Sequence, residues 1–426
     1  MGELNPLLGD QYNKVRVARL DDVDSRGAGR FQRRSGSSGG TPDSERIVPQ
    51  TEALSVCKYA LDSQRFNVQR SSLFIGFDVG GSTTDMLCMV QRKKLTPDSV
   101  ESWPETLVKE GSIRFAAGKI ADATRKSPKF QEVLKTFCKK RGMHIHGVTI
   151  PPERLNSSTA SYYYNIVVDS LNKDEHLQEL YRDLAADCPE LFALNTYMTG
   201  LIMFYAGQLA AHVRRVQDEY PADYQMPFDE VAIGCFGKGG RMFDWLPAMN
   251  EGAARGYFED CFASGYGPRT SDHIKYFNFE PSNPAEVKAE VSFGLASRRG
   301  VDQGGTQIHE LVGELGYTFN GSPVDEYSEA APRLLEHIGS QLWVPREFPR
   351  FAEFAKIFQA FTKEYFNMPL PSMEDDIRGM KLTPYVQNLP DFQLAKRATE
   401  FDFEAPLIIL EGMCFLDTVL MPKLFR

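Results

Sequence analysis

The chain has no long apolar run. Its nearest approach, Pro406 to Met421, is interrupted by Glu411 and Asp417 and falls short of the ~20 apolar residues that a spanning helix needs. Met1 to Asp10 has no basic start and no apolar stretch, so no secretory leader is read there. Positive charge is also short. Lys and Arg total 48 against 57 Asp and Glu, a net charge of −9, which argues against general nucleic-acid binding because that needs a basic footprint. Nor is there a cysteine framework. The seven cysteines are odd in number and scattered (Cys57, Cys88, Cys138, Cys188, Cys235, Cys261 and Cys414), a pattern of reduced thiols in a cytosol. His144 and His146 would share a face on a strand, but no third ligand is suggested nearby, so a metal pair is not read there.

What remains is an ordinary globular composition, 42% apolar and 25% charged over 426 residues, enough for two or three domains that each bury a core. Residues 1 to about 46 read as a flexible tail or linker, with one candidate strand at Tyr12 to Leu20. From Asp21 to Ser44 the segment is rich in Gly, Ser, Asp and Arg and cannot bury enough apolar surface to offset its ordering entropy. Thr51 to Leu61 fits a helix.

The informative stretch follows. Leu73 to Phe77 and Met86 to Val90 read as buried strands, and between them stands Asp78-Val-Gly-Gly-Ser-Thr-Thr-Asp85. Gly80 and Gly81 let backbone approach a polyanion, and successive N–H groups in such a turn form an anion-binding concavity. The Ser82, Thr83 and Thr84 hydroxyls can add donors. A carboxylate at Asp78 suits a hydrated Mg²⁺ lying between it and phosphate, because Mg²⁺ keeps its waters and takes one or two carboxylates. A β-branched residue in place of Gly81 is expected to strain this turn and to cost both stability and binding.

These residues resemble the second phosphate motif of the superfamily of actin, the heat-shock chaperone ATPases and the sugar kinases. The resemblance implies an α/β fold, namely half of an actin-like (ribonuclease H-like) ATPase, that binds ATP with Mg²⁺. It implies that Asp78 orders a magnesium-bound water, that residues 80 to 84 hold the β- and γ-phosphates, and that Asp85 belongs to the metal side of the motif. A Pro-containing connection before the motif, Val48-Pro-Gln-Thr-Glu52, makes Gln50 and Glu52 the candidates for positioning the attacking water. Gly111 to Ile120 resembles the strand, glycine and helix that follow the hairpin, with Gly118 or Lys119 near the nucleotide.

A second glycine signal lies downstream. Val231 to Cys235 reads as a strand, Gly237-Lys-Gly-Gly240 as a loop, and Met242 onward as a helix start. It resembles the superfamily's adenosine motif, with Gly237, Gly239, Gly240 and Arg241 at matching positions. Arg241 would then stack on adenine, while Lys238 departs from the common form. An inserted subdomain is expected at about 125–190, with a strand at Tyr163 to Val168, then a long amphipathic helix at Leu194 to Val216. Pro284 to Ala296 reads as the helix closing this domain at about residue 304. A mainly helical extension, 305–426, follows. It has an aromatic stripe (Phe351, Phe354, Phe358, Phe361, Tyr365) and an apolar helix over 406 to 425.

The superfamily's first phosphate motif is not found. The expectation is therefore an ATP/Mg-binding actin-like or chaperone-like module that works with an upstream or separate first-half domain and with a protein partner. The alternatives are a small-molecule kinase of the same superfamily and a non-catalytic interaction module that uses the aromatic helices.

Overall fold

The computed structural model describes residues 29–30, 46–47, 51–62, 71–95, 100–102, 105–142, 144–145, 148–149, 176–219, 228–280, 290–297, 301–302, 308, 310–329, 331–368, 370, 373–398, 403 and 405–425. Gln50, the Tyr12 to Leu20 segment, His146 and the Tyr163 to Val168 segment lie outside them. The chain divides into Met1–Glu52 and Ala53–Arg426. Within the first unit, Gly29–Arg30 pairs antiparallel with Arg46–Ile47.

The second unit is built on a six-stranded mixed sheet. Helix α1 (Glu52–Asp62) precedes strand β1 (Ser72–Val79), and β2 (Thr84–Gln91) returns beside it antiparallel. Both strands are buried almost throughout, which explains their near-continuous apolar runs. Strand β3 (Glu105–Ile113) adds antiparallel to β2. After helices α2 (Gly118–Lys126), α3 (Pro128–Arg141), α4 (His176–Asp187) and α5 (Pro189–Glu219), the chain re-enters the sheet. Strand β4 (Glu230–Phe236) lies on the other side of β1 and parallel to it. Following α6 (Glu251–Tyr266), strand β5 (Tyr276–Glu280) adds parallel to β4. Helix α7 (Glu290–Ala296) then leads to β6 (Val301–Asp302), which pairs parallel with β3 at the far edge. The spatial order is therefore β6-β3-β2-β1-β4-β5.

Helix α5 is the long helix expected over Leu194 to Val216, extended by a turn or more at its N-terminus. It is buried on nearly every side because it is covered from two directions. Gly207 and Gly265 admit α6 at backbone distance, and helix α8 (Pro349–Phe366) lays Phe354 and Phe358 edge-on against Tyr197. The aromatic stripe of α8 thus faces the core. Phe351, Phe354 and Phe358 are fully buried and Phe361 nearly so, while Tyr365 is at the margin.

The C-terminal segment does not stand apart. The 305–426 segment belongs to the same compact unit, Ala53–Arg426. Helix α9 (Leu407–Phe415) packs Gly412 against Leu201, and the Tyr197 hydroxyl donates to the Gly412 carbonyl at 2.8 Å. A buried triad ties the same segment to the sheet. Lys109 of β3 pairs with Glu310 at 2.9 Å, and Tyr205 of α5 donates to the other Glu310 oxygen at 2.7 Å.

Candidate functional site

Strand pairing brings the two glycine signals together. Asp78 stands opposite Asp85 on one side and Phe236 on the other. The turn after β1 and the loop after β4 therefore leave the same end of adjacent strands. Both Asp78 and Asp85 are half-buried. The last strand pair is Val79 with Thr84, and the intervening turn closes on a bond from the Gly80 N–H to the Thr83 carbonyl, 2.8 Å.

Residues 80 to 83 are exposed. The Gly80 and Gly81 carbonyls are turned inward, accepting from Ala117 at 3.3 Å and Gly118 at 2.9 Å at the start of α2. A Cβ on Gly118 would lie 2.3 Å from the Gly81 oxygen, so a glycine is needed for α2 to approach the turn. With its carbonyls held there, the turn presents the N–H groups of Gly81, Ser82 and Thr83. None of the three has a partner among the described residues. The Thr84 hydroxyl is engaged elsewhere, because the side chain is buried and donates to the Phe115 carbonyl at 2.7 Å. Ser82 and Thr83 are the exposed hydroxyls.

The glycines differ in what they leave room for. Among the described residues a Cβ at Gly81 would meet nothing within 4 Å, and Gly81 is not in the left-handed region. The expectation that a β-branched residue there strains the turn is therefore corrected: the space above Gly81 is open. The steric demand falls on the neighbouring loop. Gly237 has φ +71°, and a Cβ on it would sit 2.2 Å from Asp78 Oδ1. A Cβ on Gly239 would sit 2.5 Å from the Val79 carbonyl oxygen and 2.6 Å from that of Gly80. Only glycine lets this loop rest against the hairpin.

Gly240 is buried, and its N–H bonds back to the Gly237 carbonyl at 3.1 Å. The segment Gly239–Asp244 is a 3₁₀ turn, not the start of an α-helix, and leads into a short helix at Trp245–Met249. Arg241 is 6% exposed. Its positive charge acts on Asp244, whose carboxyl is raised to about 7, chiefly by burial and against the pull of Arg241. Arg241 thus faces inward. Glu52, the remaining candidate for positioning water, is the exposed first residue of α1.

Glu290 adds a contact to the loop from α7. This α7 side chain is 2% exposed and accepts from the Gly237 N–H at 3.3 Å, fixing the loop from behind. Its spacing to Gly294, which lies against the Ser55 carbonyl of α1, was visible in the sequence, but its partner was not.

Among the described residues, no group of three or more His, Cys, Asp or Glu side chains is placed to hold a metal directly. Two half-buried carboxylates beside an exposed turn with open space over Gly81 fit a cation held mainly by water and phosphate oxygens, as Mg²⁺ is. No described helix is long and apolar enough to cross a membrane. In comparison with known proteins, the chain matches no family model and no curated protein.

Proposed function

We propose that the Ala53–Arg426 unit is a nucleotide-binding module of the actin, chaperone-ATPase and sugar-kinase kind. It takes the polyphosphate of Mg·ATP on the 80–83 turn and the nucleoside beside the 237–241 loop. One observation carries this reading: the two glycine motifs, some 150 residues apart in sequence, rest against each other at one end of the sheet, with Gly239 against the Val79 and Gly80 carbonyls. The strand order supports it, with three antiparallel strands followed by two parallel additions on the side of β1, as does the general rule that open α/β sheets bind ligands beyond strand ends.

In this reading the N–H groups of Gly81, Ser82 and Thr83 and the two exposed hydroxyls receive phosphate oxygens. Asp78, with Asp85 opposite it in the strand pair, would hold the hydrated metal. Bound Mg²⁺ would neutralise phosphate charge there. Thr84 acts by anchoring the end of the turn to Phe115. Gly237, Gly239 and Gly240 keep the loop low enough for a base or ribose to lie over it. Helix α8 has its aromatic stripe in the core, so no observation favours it as a partner-binding face.

Asp78 provides the test. Asp78→Asn keeps the shape and removes the charge. The full chain should lose about tenfold in affinity for Mg·ATP and should lose the dependence of binding on Mg²⁺, read by titrating ATP with and without the metal. An Asp78→Asn chain that binds Mg·ATP as the parent does, with the same metal dependence, would remove Asp78 from the site.

A further inference from the structure

Among the described residues, the cations beside the proposed phosphate turn are mostly committed. Lys119, next to the Gly118 contact, pairs with Asp417 at 2.6 Å, and Asp417 also accepts from the Tyr385 hydroxyl at 2.8 Å. Arg114, just past the end of β3, pairs with Asp391. Arg241 is buried, and its charge acts on Asp244. Lys238 differs from all of these. It is exposed, and it forms no ion pair or side-chain hydrogen bond among the described residues.

Its backbone sits between two closely packed glycines. Gly237 before it donates its N–H to the Glu290 carboxylate and lies so close to Asp78 Oδ1 and the Val79 carbonyl that a Cβ would not fit. Gly239 after it lies equally close against the Val79 and Gly80 carbonyls. The backbone of Lys238 is thus held against the first residues of the phosphate turn from both directions, and only the side chain is left free. A flexible four-carbon stem with a three-donor ammonium suits that place, and lysine is an established point-charge partner for phosphate.

We infer that Lys238 grips the polyphosphate of the bound nucleotide from the loop side, opposite the turn's N–H groups. This inference rests on the proposed phosphate site and adds to it a residue outside the hairpin. Asp78, Asp85 and the buried Glu290 make the surroundings acidic, so a polyphosphate needs a protein cation there as well as a metal. Because the contact is to phosphate charge, it discriminates by phosphate number: Mg·ATP gains from it and adenosine does not.

The experiment uses the full chain and three probes: Mg·ATP, inorganic tripolyphosphate with Mg²⁺, and adenosine. Each is titrated against the parent, Lys238→Ala, Lys238→Arg and Gly81→Val. Lys238→Ala should weaken Mg·ATP and tripolyphosphate by about tenfold, the scale of a hydrogen bond to a charged group, and leave adenosine unchanged. Lys238→Arg should restore most of the loss. The melting temperature should not move in either variant, since the side chain has no partner to lose among the described residues. Equal Mg·ATP affinity in the parent and Lys238→Ala, with Gly81→Val losing it, would overturn the role of Lys238 and leave the phosphate site standing. An equal loss for adenosine would also overturn it, since the contact would then be to the nucleoside. A parent chain that binds neither Mg·ATP nor tripolyphosphate at concentrations on the order of millimolar would overturn both readings.

Discussion

Glu411 is fully buried on α9, and its carboxyl is raised well above the ordinary glutamate value, first by burial and then by Glu314. One oxygen accepts from the Tyr317 hydroxyl at 2.7 Å, while the other has no donor among the described residues. Glu314, itself buried, uses both oxygens to cap α8, accepting from the N–H groups of Arg350 and Phe351 at 2.9 Å each. Its carboxyl is raised to about 6, with burial the leading cause. A proton on Glu411 resolves this arrangement by making it the donor to Glu314. Both folded values lie above the ordinary 4.5. The stability contributed by the pair is therefore fully present below pH 4.5 and is lost as pH rises, through about 6 for Glu314 and higher for Glu411, because the folded state binds the extra proton. Glu411→Gln supplies a permanent donor and should flatten this decline, so that melting temperatures of variant and parent diverge in the variant's favour as pH increases. Glu411→Leu should cost about 1–3 kcal/mol by leaving the Tyr317 hydroxyl without its acceptor. Parallel melting curves against pH for Glu411→Gln and the parent would show that no proton is held there.

At the scale of elements, glycine decides which neighbours can approach. Gly294 brings α7 against α1 so closely that a Cβ would lie 1.6 Å from the Ser55 carbonyl oxygen. Gly294→Ala should cost about 1–3 kcal/mol, as overpacking does, and should loosen Glu290 on Gly237 because both residues ride on α7. Gly256, inside α6, would meet nothing within 4 Å, so Gly256→Ala should stabilise by about 0.5–1 kcal/mol. Thermal melting of the two variants, which differ by one methyl each, reads the contrast. The same elements show what could be read in the sequence. The β1–β2 hairpin and β4 were legible because their apolar runs and turn residues are local. Strand β3 was seen only from Gly111 onward, since Lys109 and Glu110 interrupt its apolar run. Lys109 is tolerated inside only because Glu310, 201 residues away, meets it. Strand β5 carried a signal that was missed, the alternation Tyr276-Phe-Asn-Phe-Glu280, with Phe277 and Phe279 packing on Phe262 and Phe258 of α6. In the candidate site, the types and order of residues were legible. The inward turn of Thr84 and Arg241 and the open space at Gly81 depend on tertiary contacts that no local pattern encodes.

At the scale of the whole unit, the proposed phosphate turn is open to water. Gly80 to Thr83 are exposed, so charges placed there act through a high dielectric and give up most of the electrostatic stabilisation that a closed site supplies. ATP turnover by this chain alone should therefore fall well below the 1 per second or more that is ordinary for kinases, and binding carries the central claim. The most direct measurement is titration of Mg·ATP against the parent and Gly81→Val, with thermal melting of both. A valine at Gly81 would point into space that no atom of the described residues occupies within 4 Å. The phosphate reading predicts that Gly81→Val melts close to the parent yet loses nucleotide affinity by about tenfold or more, because the side chain fills the place of a phosphate oxygen. Equal affinity for Mg·ATP in the two chains would contradict the reading and leave the 80–83 turn as an ordinary hairpin.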